Sequence, residues 1–218
     1  MAGALEGEAW RTGFPSGLGD SAEFAGLRDI SVEYLICQRD DEVRHAQAIE
    51  YLMASLDVEI GPPTPLHAYV LSRLAHAPDF DEKLVLIHWL IEVFAKILFD
   101  QLRERFPGTS IAGAMDRIIA DESRHVAFGD LFLPVRARTA SPAQLANLVK
   151  AQVTGMTVMS AAFWLDGFQN AARVLDLDVK RFFIKGMDAL ERRYNQFGRP
   201  IGILNLAPVA RPLLALLL

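Results

Sequence analysis

Cysteine occurs once in these 218 residues, as Cys37, so no internal disulfide framework holds the chain and a reducing compartment suits it. Basic charge is in the minority. Lys and Arg number 22 against 27 Asp and Glu, a net charge of -5, which leaves no basic footprint for nucleic acid. No charged leader followed by an apolar stretch opens the chain, and a cytoplasmic location is the expectation. No run of about twenty apolar residues goes without interruption, as a membrane span would need. The most apolar stretch, 145 to 175, contains Lys150, Gln152, Asp166 and Gln169. Strand-like alternation persists nowhere, so a β-sheet fold is disfavoured.

What is present is helical apolar spacing in a chain that is 51% hydrophobic, long enough for one sizeable core; a single domain, 1–218, is the simplest count. The pattern predicts a helix from Asp29 to Asp57, stopped by Gly61-Pro62-Pro63, and a shorter one from Pro65 to Ala77. A third runs from Asp79 to Phe106, before Pro107-Gly108. Ser110 is expected to cap a fourth that ends near Pro134. Ser141-Pro142 opens a fifth through Leu175, destined for burial against the body or at a dimer seam, and the last covers Leu177 to Phe197. The tail Leu213 to Leu218 is expected to pack on the body, with docking on a partner as the alternative.

Two copies of one string carry the chemistry: Asp41-Glu42-Val43-Arg44-His45 and Asp121-Glu122-Ser123-Arg124-His125. In each, a carboxylate and an imidazole stand three residues apart and so share one helix face. A single Glu-x-x-His pair is weak, since most lie on solvated faces and bind nothing. Two of the five histidines ending the same string, each among apolar neighbours, is a stronger signal. Buried carboxylates and imidazoles need partners to offset their desolvation. Facing pairs would make a pocket of hard oxygen and borderline nitrogen donors suited to two iron or manganese ions.

The strings DDEVRHAQ and ADESRHVAFG resemble the second and fourth core helices of the ferritin-like di-iron carboxylate oxidoreductases, a superfamily that includes bacterial multicomponent monooxygenases, ribonucleotide reductase small subunits with their oxidase relatives, and aryl-amine N-oxygenases. The resemblance covers roughly residues 28 to 137. It implies an all-α, ferritin-like four-helix bundle with additional C-terminal helices, about 141–197. It also implies a metal pattern of Glu, Glu-x-x-His, Glu, Glu-x-x-His. Carried over residue by residue, Glu42, His45, Glu122 and His125 are ligands.

The third-helix glutamate falls on Glu92, inside His88-Trp89-Leu90-Ile91-Glu92-Val93-Phe94 and thirty residues before Glu122. Glu82 and Glu104 compete, but each sits among charged neighbours. The first-helix ligand is where the pattern falters: Glu8 is the best candidate, Glu6 and Glu23 are alternatives, and a Gly/Pro break after Glu8 leaves room for none. Asp41 and Asp121, supported by Arg44 and Arg124, are candidates to hold the ligand imidazoles by hydrogen bonds, against a reading as surface ion pairs. His88 is an extra ligand, a proton relay or, as the commoner case, a satisfied core histidine. His67 and His76 are expected to be exposed.

The resemblance implies two iron ions, with manganese or a mixed Mn/Fe pair as variants, and an O2-dependent oxidase or oxygenase acting on a small, largely apolar organic substrate. Hydroxylation, N-oxygenation and desaturation stay open. An external electron donor is implied, and a homodimer is compatible. Trp89, Phe94, Phe99, Phe128 and Phe132 either wall a substrate pocket or form ordinary core. The alternatives are a ferroxidase or iron store, a peroxide-reducing relative and a metal-free scaffold subunit. No Cys-x-x-Cys pair exists for a rubredoxin-type centre, and Ile49 stands where the reductase subunits carry their tyrosine.

Overall fold

A computed structural model describes residues 27–57, 80–165 and 168–197, with short stretches between 59 and 72 and the positions 205 and 208. Among the described residues every regular element is a helix and no strand occurs. The chain divides into two compact units, Met1–Lys83 and Leu84–Leu218. Glu6, Glu8, Glu23, His67, His76 and the tail from Leu213 lie outside the described residues.

In the first unit the main element is α1, Leu27–Ser55. Its buried positions, Ser31, Leu35, Gln38, Asp41, Glu42 and His45, follow helical spacing, yet all but Leu35 are polar. The helix ends by a left-handed residue: Asp57 has φ 56° and its amide reaches the Ala54 carbonyl at 3.1 Å. Aspartate tolerates that conformation better than most residues, and Gly61-Pro62-Pro63 follows. The short α2, Phe80–Lys83, closes this unit.

The second unit opens not with the expected α-helix but with a π-helical segment, Leu84–Ile91, followed by α3, Glu92–Arg105. Leu84 through Leu90 are all buried, as suits a stretch that is apolar on every side. Next come α4, Ser110–Thr139; α5, Pro142–Leu165; α6, Phe168–Val174; and α7, Val179–Phe197. The strip formed by the π segment and α3 is central: α4 lies along both parts, α5 packs on the π segment and α7 on α3. Glycines permit the closest approaches. A Cβ at Gly155 would stand 2.7 Å from Leu86 and Leu90, and one at Gly186 would stand 2.2 Å from the Phe94 ring. Phe182 and Phe183 of α7 gather with Phe94, Phe163 and Phe168 in an aromatic cluster.

Several boundaries differ from expectation for identifiable reasons. Thr109, not Ser110, caps α4, its Oγ1 accepting from the Ala112 amide at 3.4 Å. Helix α4 runs through Pro134 to Thr139, because Phe132, Leu133, Arg136 and Ala137 are buried on both sides of the proline and their packing outweighs one missing N–H. The fifth predicted helix is covered by α5 and α6, and residues 166 and 167 between them lie outside the described residues. A reciprocal capping box opens α5: the Ser141 amide donates to Gln144 Oε1 at 2.8 Å, and the Gln144 amide to Ser141 Oγ at 3.4 Å. Its apolar face is covered within the unit, with Leu148, Ala151, Gly155, Ala162 and Phe163 buried. Asp178 opens α7 by accepting from the Arg181 amide at 2.8 Å. No helix among the described residues is long and apolar enough to cross a membrane.

Candidate metal centre

In α4 the second string separates by side. Glu122 and His125 turn inward, at 1% and 0% exposure, as three-residue spacing requires. Asp121 and Arg124 turn outward and pair at 2.5 Å, while Ser123 bonds back to the Ile119 carbonyl. Glu92, the first residue of α3, is fully buried opposite them. His125 Nδ1 lies 3.3 Å from Glu122 Oε2 and 3.5 Å from Glu92 Oε1. One donor atom from each of the three comes within 4.8 Å of the others. Two carboxylates and an imidazole, gathered from positions thirty residues apart, thus form a buried group that could hold a metal ion.

The electrostatics follow from that crowding. Burial pushes the His125 imidazolium toward neutrality, but the hydrogen bonds and negative charges of Glu122 and Glu92 together outweigh it and raise its pKa to about 10. His88 goes the other way. Its complete burial, and then the positive charges of His125 and Arg193, lower it to about 3 and keep it neutral. Its Nδ1–H donates to the His125 carbonyl at 3.2 Å, so His88 holds the backbone of a candidate ligand. Its ring packs on Phe128, 4.9 Å between centroids.

The first string, on α1, has the same internal layout. Glu42 and His45 are both buried, with His45 Nδ1 3.8 Å from Glu42 Oε2, and Arg44 pairs with Asp41. The two aspartates differ in setting: Asp41 is buried, while Asp121 is partly exposed. Of the competing acids, Glu104 is exposed and paired with Arg181 at 2.7 Å, and Glu82 is half-buried on α2.

The aromatic residues near the strings form core. Trp89, Phe94, Phe128 and Phe132 are buried; Phe128 stacks on Phe132 at 4.4 Å, and Trp89 meets Tyr194 at a tilt with 5.2 Å between centroids. Phe99 is half-buried. An open groove of about 540 Å³ lies beside Trp164, Arg173, Asp178 and Lys180, and none of the cluster's residues lines it.

Arg193 on α7 escaped the sequence reading. It is buried at 6% exposure, and its guanidinium carbon sits 3.8 Å over the Trp89 ring. The only signal was positional: Phe183, Met187, Leu190 and Tyr194 mark the buried stripe of α7, and Arg193 flanks it where Arg192 is exposed.

No protein-family model, curated protein or solved structure matches this chain. The ferritin-like resemblance therefore stands on the two pentapeptides and the intervening buried acid.

Proposed function

We propose that this chain is a di-metal oxidoreductase, its metals held by carboxylates and histidine, that uses O2 to oxidise a small, largely apolar organic compound. The observation that carries the reading is the buried convergence of Glu92, Glu122 and His125. The donor set fits a hard or borderline cation: oxygen and imidazole nitrogen suit iron or manganese, and the one thiol, Cys37, is exposed and outside the group. In the proposal Glu42 and His45, which repeat the Glu122–His125 pair eighty residues earlier, supply the matching half of a ferritin-like four-helix site, and Glu8 is the candidate for the first-helix position.

A bound metal pair would supply the reduction of O2 in two-electron steps, with electrons from an external donor. The chain's own contribution is to hold and shield. Glu92 and Glu122 would hold the cations between them, and His88 fixes the backbone at His125. Glu92, Glu122 and His125 are themselves buried at 1% exposure or less, which keeps water away and strengthens the charge interactions among them. An apolar surround favours an organic guest over a stream of hydrated iron.

Anaerobic loading with ferrous iron followed by metal analysis tests the proposal. About two irons per chain are expected, falling sharply in Glu122→Ala and His125→Ala. Exposure to O2 should then consume a single equivalent per metal pair with the iron retained. Failure to retain iron would leave a metal-free scaffold. Oxidation of many ferrous ions per chain, with a mineral core in a hollow assembly, would establish a ferroxidase instead.

A further inference from the structure

Glu92 is the acid that meets Glu122 and His125 from outside α4, and it is the residue at which the π-helical segment gives way to α3. A π turn inserts a residue relative to an α turn, and one residue is about 100° of rotation at 3.6 residues per turn. Relaxing the π segment to α-helix would therefore swing the Glu92 carboxylate away from His125. An isolated π-helix has poor intrinsic stability, so something outside the segment must favour it.

Among the described residues Arg193 is placed to do so. Arg193 crosses from α7, and all five of its N–H donors are used. Nε donates to Asp130 Oδ1 at 2.5 Å, Nη1 to the His88 and Trp89 carbonyls at 3.3 Å each, and Nη2 to the His88 carbonyl at 3.3 Å and the Val126 carbonyl at 3.2 Å. Two of the three carbonyls belong to the π segment. The third, Val126, and the carboxylate of Asp130 belong to α4, next to His125. Between them Gly129 lets the strands of contact close: a Cβ there would stand 2.9 Å from both Cβ and O of His88 and 3.1 Å from Arg193 Nη2. The planar fork of arginine can bridge two elements in this way, and a lysine's single ammonium cannot.

We infer that Arg193 is a positioning residue of the centre: by tying the His88 and Trp89 carbonyls to α4, it holds the π segment in the conformation that aims Glu92 at Glu122 and His125, and so sets metal affinity without touching the metal. The inference rests on the metal reading above. It predicts that Arg193 acts through Glu92, which a residue needed only for packing would not do.

The test is a double-mutant cycle read by anaerobic Fe(II) titration. Arg193→Lys should bind Fe(II) about tenfold or more weakly, the range seen when partners behind a metal ligand are lost. In a Glu92→Ala background the same change should cost less than about twofold, because the carboxylate it positions is gone. Asp130→Asn, at a partly exposed position, loosens the same clamp and should weaken binding in the same direction even where the lysine variant does not fold. Unaltered affinity in the Arg193 and Asp130 variants, beside a weakened Glu92→Ala, overturns the inference alone. An equal loss with and without Glu92 also overturns it, since Arg193 would then act on the core at large. Wild-type affinity in Glu92→Ala would bring down the metal reading and this inference together.

Discussion

Replacing Gly186 with alanine sets two known effects against each other, and the geometry decides between them. Alanine is the better helix former by about 1 kcal/mol in a helix interior. The new methyl, however, would lie 2.2 Å from Phe94 Cε1, 2.6 Å from Cζ and 2.8 Å from Cδ1. Carbon atoms prefer about 3.5–4.0 Å, so the overlap with Cε1 is about 1.5 Å. The ring cannot swing aside freely: Phe94 is 5% exposed and packed against Phe182 and Phe183, with centroids at 5.3 and 6.3 Å. Overpacking of this kind costs about 1–3 kcal/mol, and at an overlap this large the upper half of that range applies. A net destabilisation of about 1–2 kcal/mol should remain, lowering the melting temperature by about 2–8 °C for a chain of this size. Thermal unfolding followed by circular dichroism measures it, and Phe94→Leu in the same chain should recover part of the loss. A Gly186→Ala variant as stable as the parent, or more so, would show that α7 does not press on α3 as described.

Further consequences follow from the same packing. His125→Ala should lose most bound iron while keeping its helical dichroism; His45→Ala should do the same if the α1 pair belongs to the centre, and unchanged iron in both would sink the ligand assignment. Gln101, buried in α3, brackets the start of α7 by donating to the Asp178 carbonyl at 3.2 Å and accepting from its amide at 3.0 Å. Gln101→Ala should therefore cost about 1–3 kcal/mol in urea unfolding without changing Fe(II) affinity. A loss of iron binding in that variant would mean the two ends of α3 are coupled.

The helical class was legible because apolar spacing and breakers mark most elements directly. Glu122 and His125 share a face by their spacing alone, and Glu92 stood out as one acid in an apolar run. The π segment was not legible, for a physical reason: in Leu-Val-Leu-Ile-His-Trp-Leu-Ile nearly every side is apolar, so the pattern carries no phase that would distinguish a π turn from an α turn. Arg193 was hidden for a related one. Its partners are chiefly backbone carbonyls, which every residue has and no sequence pattern marks. Pro134 misled because a local breaker was weighed without the burial that carries α4 past it.

The proton on His125 ties the cluster's stability to its chemistry. Two buried carboxylates repel each other, and an imidazolium beside both of them supplies countercharge that a neutral imidazole does not. With its pKa raised to about 10, above the ordinary 6.5, this group contributes stability that is fully present below pH 6.5 and is lost as pH rises through about 10. The metal-free protein should accordingly unfold more easily at pH 9.5 than at pH 7. A cation that takes the imidazole nitrogen must first displace that proton. Because its raised pKa keeps His125 protonated at neutral pH, metal binding at pH 7 should release a proton and the apparent affinity should rise with pH. Calorimetric titration with Mn(II) in two buffers of different ionisation enthalpy measures the release. Binding with no proton released at pH 7, and an affinity that does not change with pH, would show that His125 is already neutral. The carboxylates of Glu92 and Glu122 would then need some other countercharge in the metal-free protein.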